Sequence, residues 1–275
     1  MIQWKVAISV LQGISTLYWI LIASALALVF WKIKSGWGKA LGALLVVCVF
    51  GYVPLQRMMD ASEREVYERE AWSYFKKQCD EKSGEKILKT FDGVKSVLAI
   101  KPLPPASEKD LQDQFWLGNP YSDATPWAKR AELAASILAD PVAPIAPGKI
   151  GRGFDFVESV SPTTNQIIKY HYPEGTRKSV AAPVDKAVSR FALSWEDISR
   201  PEDRKYWVAG SRLRIIDLTD DSVIAERIGY FIEAGFGSTV GQRRPWLASR
   251  GPNTTCPAVH DYMDRWFVLK VLKPN

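Results

Sequence analysis

The chain has 275 residues, 47% of them apolar, and a formal net charge of +6. That size suits one soluble domain joined to a membrane segment. Residues 1–55 hold four basic residues, Lys5, Lys32, Lys34 and Lys39, and no acidic ones, so the remainder holds 32 basic against 30 acidic. Such a balance excludes the basic footprint of a nucleic-acid binder.

Val6–Trp31 carries no charge. It exceeds the roughly 20 residues a helix needs to cross the hydrocarbon core. Ala40–Leu55 is a shorter apolar run, and it spans if the helix starts near Trp37 or continues through Met58 and Met59. The short link between the runs carries Lys32, Lys34 and Lys39. Residues 1–59 are therefore expected to form a transmembrane helical hairpin in a lipid bilayer. Basic residues favour the cytoplasmic side, which places the turn inside and both termini outside, although Lys5, Arg57 and Arg64 oppose this from the other flank. Trp4, Trp31, Trp37 and Tyr52 suit an interfacial aromatic belt. The pairs Ala23/Ala27 and Gly38/Gly42 have the spacing that lets membrane helices approach closely. A cleaved signal peptide is the rival reading, since Ala23–Ala25 and Ala25–Ala27 have the A-x-A form. It is disfavoured because the apolar run continues to Trp31 and a second run follows.

Residues 60–275 read as one soluble α+β domain, mainly antiparallel β with a few helices. Asp60–Lys77 alternates Glu63, Glu65, Glu68 and Glu70 with Arg64 and Arg69, while Val66, Tyr67, Ala71, Tyr74, Phe75 and Gln78 mark a less polar side. This predicts a helix continuing from the second membrane segment, bent at Pro54 and broken at Ser83-Gly84. Around Asp92-Gly93 the apolar residues predict a β-hairpin, because that dipeptide favours a type I′ turn. Residues 110–127 look irregular. Thr125-Pro126 is a helix start, and residues 128–139 a short helix. The prolines at 141, 144 and 147 give a stiff, linker-like passage.

The second half reads as antiparallel sheet. Residues 154–160 and 167–172 give strand, turn, strand, with Phe154, Phe156 and Val160 on one alternation and Ile168, Tyr170 and Tyr172 on another. Residues 212–218 and 223–234 around Thr219–Ser222 form the clearest hairpin. Its Arg212, Arg214, Glu226 and Arg227 suit a wet face, and Gly229 a bulge. Residues 264–274 are a last strand or a short helix.

Several pieces together resemble a group of two-helix inner-membrane proteins of proteobacteria to which no activity is assigned. They are residues 84–87, 94–98, 206–211, 215–218, 225–230 and 271–274. The resemblance implies a coherent domain in a bacterial membrane setting and supplies no catalytic residue.

Catalytic signatures are weak. No G-x-S-x-G occurs, and His171 and His260 are the only imidazoles. His260 follows Cys256 by four residues, so a cysteine–histidine dyad requires Cys256 to be free. Gly235, Gly237 and Gly241 lack the G-x-G-x-x-G spacing and a following Walker lysine. Asn253-Thr254-Thr255 fits a glycosylation pattern only in composition. No metal site or cofactor is expected. Cys48 falls in an apolar run, whereas Cys79 and Cys256 flank the soluble part and can bond in an oxidising compartment.

The expected function is an inner-membrane-anchored periplasmic module that binds a protein, in its sharp form an immunity protein against a secreted antibacterial toxin. The alternatives are an accessory subunit of an envelope or secretion assembly, and an envelope enzyme using Cys256 and His260. The partner surface is expected on a projecting loop from Gly235 to Pro257, carried by Arg243, Arg244, Trp246 and Arg250, since arginine and tryptophan dominate interface energetics. The competing expectation is that Trp246 packs into the domain and the arginines pair with its acidic groups.

Overall fold

The computed structural model describes residues 2–101, 107–116, 138–146, 149–161, 164–176, 178–247, 253–257 and 263–274. For residues 2–16, 53, 101, 143–146, 247, 263 and 264 only the backbone is described. The chain divides into two compact units, Met1–Glu68 and Arg69–Asn275.

In the first unit, helix α1 runs from Ile2 to Lys32 and helix α2 begins at Gly36. Ser35 starts α2 by accepting the Gly38 N–H through its hydroxyl at 3.0 Å, an ordinary helix cap. α2 continues unbroken through Pro54 to Lys82, as the charge pattern after residue 59 predicts. Among the described residues, α2 is the one helix long and apolar enough to cross a membrane, and Leu17–Lys32 of α1 is a shorter apolar stretch. Leu41, Leu44, Leu45, Val47 and Val49 of α2 and Leu17, Trp19, Ile20 and Leu21 of α1 are exposed. A Cβ at Gly42 would meet Val29 at 2.7 Å, so glycine there lets the two backbones come close.

The second unit is α+β with a mainly antiparallel sheet and few helices. Strands β1 (Gly84–Ile87), β2 (Ser96–Lys101), β5 (Phe156–Val160), β6 (Ile167–His171), β7 (Val180–Val184), β8 (Phe191–Asp197), β9 (Val208–Asp217) and β10 (Ser222–Ile232) lie in the order β1-β10-β9-β8-β2-β5-β6-β7. β11 (Thr255–Cys256) also pairs with β10, while β3 (Ala143–Ala146) and β4 (Lys149–Gly151) form a separate two-stranded sheet. β2 is parallel to both β5 and β8, and the other pairs are antiparallel. Val97, Leu98 and Ala99 of β2 are all buried, as a central strand covered on both faces requires.

Helix α3 (Pro201–Lys205) joins β8 to β9, and helix α4 (Met263–Val271) closes the chain. α4 supplies Phe267, Val268, Leu269 and Val271 to a core with Val97, Val157, Tyr170, Leu193, Leu213 and Ile215. The open choice at residues 264–274 is thus resolved as helix. A second cluster gathers Ala71 and Phe75 of α2 with Val208, Tyr230 and Ile232.

Several sequence expectations are corrected. The chain turns at Asp92-Gly93, but no hairpin forms there: β1 pairs with β10 at one edge and β2 enters the centre. Within and just after the proline passage, Ala143–Ala146 and Lys149–Gly151 pair as β3 and β4, where a linker was expected. In β5 the inward residue is Val157, and Glu158 and Ser159 are buried as well, so the expected alternation fails. The β9–β10 hairpin forms as expected, but its bulge lies between Val223 and Ala225, not at Gly229. That bulge contributes to placing Arg227 on the buried face, 3.6 Å from Glu85. The short helix expected at 128–139 lies mostly outside the described residues.

Candidate functional site

The loop after β10 is built around one buried carboxylate. Glu233 is fully buried and accepts the backbone N–H groups of Gly235 at 2.9 Å and Gly237 at 2.7 Å. Arg243 donates to its Oε1, so the charge is paired rather than stranded. A Cβ at Gly235 would lie 1.6 Å from the Arg243 guanidinium, so a side chain there would have to push the end of Arg243 away from its place. Gly237 has φ of +78° and its Cβ would strike the Trp207 ring at 2.3 Å.

Trp246, in a 3-10 turn at Pro245–Leu247, is fully buried. Its ring lies 5.1 Å from that of Trp207 and 6.4 Å from that of Phe231, with the Arg204 guanidinium 4.8 Å away. Its indole N–H donates to the Asp113 carbonyl at 2.6 Å. Trp246, expected on the partner surface, packs into the domain as the competing expectation held, and the chain from Glu233 to Trp246 is held by an aromatic pocket and a buried acid. Arg243 is turned inward. Arg244 is exposed and pairs with the equally exposed Glu108 at 2.8 Å. Val240 and Gln242 are exposed beside it. Arg250 and His260 lie outside the described residues.

Sequence reasoning missed Glu233, Asp113, Arg204 and Trp207. Glu233 leads the Gly235–Gly237 pair, and an acid just before closely spaced glycines was a usable sign of a carboxylate capping their N–H groups. Nothing local marks Asp113.

A polar network joins α2 to α3. The Tyr74 hydroxyl donates to Asp203 at 2.6 Å, and Arg200 donates to the Tyr74 oxygen at 3.1 Å. Burial, with the Asp203 carboxylate beside it, pushes the Tyr74 phenol up to about 12. Arg204, fully buried, donates to Asp197 at 2.8 Å. Farther along the sheet, Arg190 grips Asp217 at 3.1 and 2.6 Å, and Thr219 donates to the same carboxylate. These bonds, the Arg190 guanidinium foremost, hold Asp217 well below the usual carboxylate range.

Glu158, fully buried, accepts the N–H groups of Val188 and Ser189 and the Ser189 hydroxyl. On the sheet face away from α4, Glu196, Arg212, Arg214 and Glu226 form mutual ion pairs at 3.1 to 3.6 Å. An open groove beside them is lined by Lys86, Leu88, Arg214, Val223 and Glu226. Among the described residues no three His, Cys, Asp or Glu side chains gather as a metal-ligand group. His171 sits half-buried on β6.

Cys79, near the end of α2, and Cys256, on β11, stand at disulfide distance with Cα atoms 5.6 Å apart. Cys48 is free and exposed on α2.

Fold and site define a class no narrower than an α+β domain continuous with a long apolar helix. Compared with models of known protein families, with curated proteins and with solved structures, the chain finds no match.

Proposed function

We propose that the chain is a membrane-anchored protein-binding module of the bacterial periplasm, acting as immunity to a secreted antibacterial toxin. α1 and α2 form a transmembrane helical hairpin with Lys32, Lys34 and Lys39 on the cytoplasmic side. The domain from residue 60 onward then faces the periplasm with both termini. One observation carries this: a cysteine pair at bonding distance in a domain continuous with a helix apolar enough to span a bilayer. Disulfides persist on the oxidising side of a membrane. The resemblance to two-helix inner-membrane proteins agrees.

Recognition is assigned to the loop that Arg243 and Trp246 hold in place, with Arg244, Val240 and Gln242 presented and Arg250 following. Arg243 and Trp246 shape the surface, and Arg244 contacts the partner. The second reading, an accessory subunit of an envelope or secretion assembly, draws on β7, whose Val180, Ala181, Ala182 and Pro183 are all exposed.

The test joins topology to binding. A periplasm-only reporter fused after Asn275 should be active and a cytoplasm-only reporter silent; the reverse pattern overturns the topology. Where a toxin gene lies beside this one, expressing the chain should protect cells from the toxin delivered to the periplasm. Arg244→Ala with Arg250→Ala should abolish protection at unchanged melting temperature. Full protection by that variant moves recognition elsewhere.

A further inference from the structure

The contact between α1 and α2 at Tyr18 answers a defect that Pro54 writes into α2. Proline has no backbone N–H, so the carbonyl four residues earlier loses its helical donor. That carbonyl belongs to Phe50. The Tyr18 hydroxyl of α1 donates to the Phe50 carbonyl, and the Tyr18 ring meets the Phe50 ring edge-on with centroids 6.3 Å apart. α2 nevertheless continues as helix on both sides of Pro54. In hydrocarbon no water can satisfy such a carbonyl, and a hydroxyl from a neighbouring helix is one of the few groups that can.

We propose that Tyr18 is a clasp: its hydroxyl stands in for the N–H missing at Pro54 and fixes the register of α1 on α2. Pro54 creates the acceptor, Tyr18 supplies the donor, and neither group serves pairing alone. Close approach at Gly42 brings the backbones together nearer the turn, while the clasp sets their alignment farther along. This rests on the two-helix membrane hairpin proposed above, and it adds a residue-level lock to it.

The experiment is a double-mutant cycle in the full chain, purified in detergent without reductant. Spin labels at Cys48 and at a cysteine replacing the exposed Leu21 report the distance between the helices. The parent should give one narrow distance. Tyr18→Phe, which keeps the ring and removes the hydroxyl, should broaden it. Pro54→Ala returns an N–H to the Phe50 carbonyl, so in that background Tyr18→Phe should leave the distribution narrow. Equal broadening in both backgrounds would show that the hydroxyl acts elsewhere and would overturn the clasp. A narrow distance in Tyr18→Phe alone would also overturn it. Membrane insertion is scored separately by alkaline carbonate extraction of cell membranes. Release into the wash breaks the hairpin proposal, whereas the distances measured in the purified chain decide the clasp independently of it.

Discussion

The two edges of the main sheet are finished in opposite ways. At one edge, β10 is covered twice: β1 pairs with Ala225–Ile228 and β11 with Tyr230–Phe231. Cys79, just before β1, reaches Cys256 on β11, and Trp246 packs on Phe231 behind them. At the other edge, β7 has Val180, Ala181, Ala182 and Pro183 exposed and, among the described residues, one paired neighbour, β6. The first edge is protected by covalent and aromatic closure. The second relies on shortness and on Pro183, which offers no N–H to a passing strand. Stability is thus concentrated where α2 meets the sheet, and tolerance where the sheet runs out.

That contrast can be broken or sharpened by substitution. The largest effect is expected at Trp246→Ala, which empties the aromatic pocket and strands the Asp113 carbonyl. Chemical denaturation should show a loss of about 3–5 kcal/mol; a loss below about 1 kcal/mol would show the loop to be peripheral. Replacing Cys79 and Cys256 together by serine should cost about 2–4 kcal/mol, and the cost should vanish when the parent is measured in reductant. Asp217→Asn should remove about 1.5–3 kcal/mol at neutral pH. Asp217 is held below its ordinary range, so its contribution is present above about pH 4 and fades as acid protonates it. Denaturant midpoints of the parent should fall on acidification, and the variant should fall less steeply.

Tyr74 gives the opposite slope. Its phenol is raised from 10.0 to about 12, so the folded state holds a proton that the unfolded state has lost. The stability it supplies is whole below pH 10.0 and is lost as pH climbs towards 12. Tyr74→Phe should cost about 1 kcal/mol at neutral pH and flatten the alkaline decline. The smallest effect on stability is expected at Pro183→Val, within about 0.5 kcal/mol. Light scattering should nonetheless show more self-association, since the substitution restores a strand donor at the bare edge. An unchanged scattering signal would mean that something besides Pro183 guards β7.

What was legible in the sequence was local. The β9–β10 hairpin announced itself through alternation around Thr219–Ser222, and α2 through its glutamate–arginine pattern after residue 59. The irregular strands were missed. β8 reads FALSWED, mixing serine, tryptophan and acids, because it is covered on both faces and ion-paired at one end. β7, reading VAAPV, carries no strand alternation, since its edge position asks for no apolar stripe. Asp92-Gly93 does turn the chain, but turn chemistry carries no information on which strands the flanking segments will join. In the candidate site, arginine and tryptophan were found by type, while their placement was set by Glu233, Asp113 and Arg204. Only Glu233 is a near neighbour in sequence, so burial of Trp246 was a tertiary outcome.

The outer cover of β10 has a consequence for how the molecule is made. β1 leaves the ribosome early and β10 late, β11 later still, and Phe91 waits for Leu272 and Lys273 almost at the end of the chain. Central β2 must likewise wait for β8 before it has both neighbours. Long-range pairing of this kind makes folding slow and leaves unpaired edges open meanwhile. The domain therefore closes as a whole only once residues 271–273 are present, on a chain whose amino-terminal helices have emerged long before. A truncation that removes α4 should abolish the sheet rather than trim it.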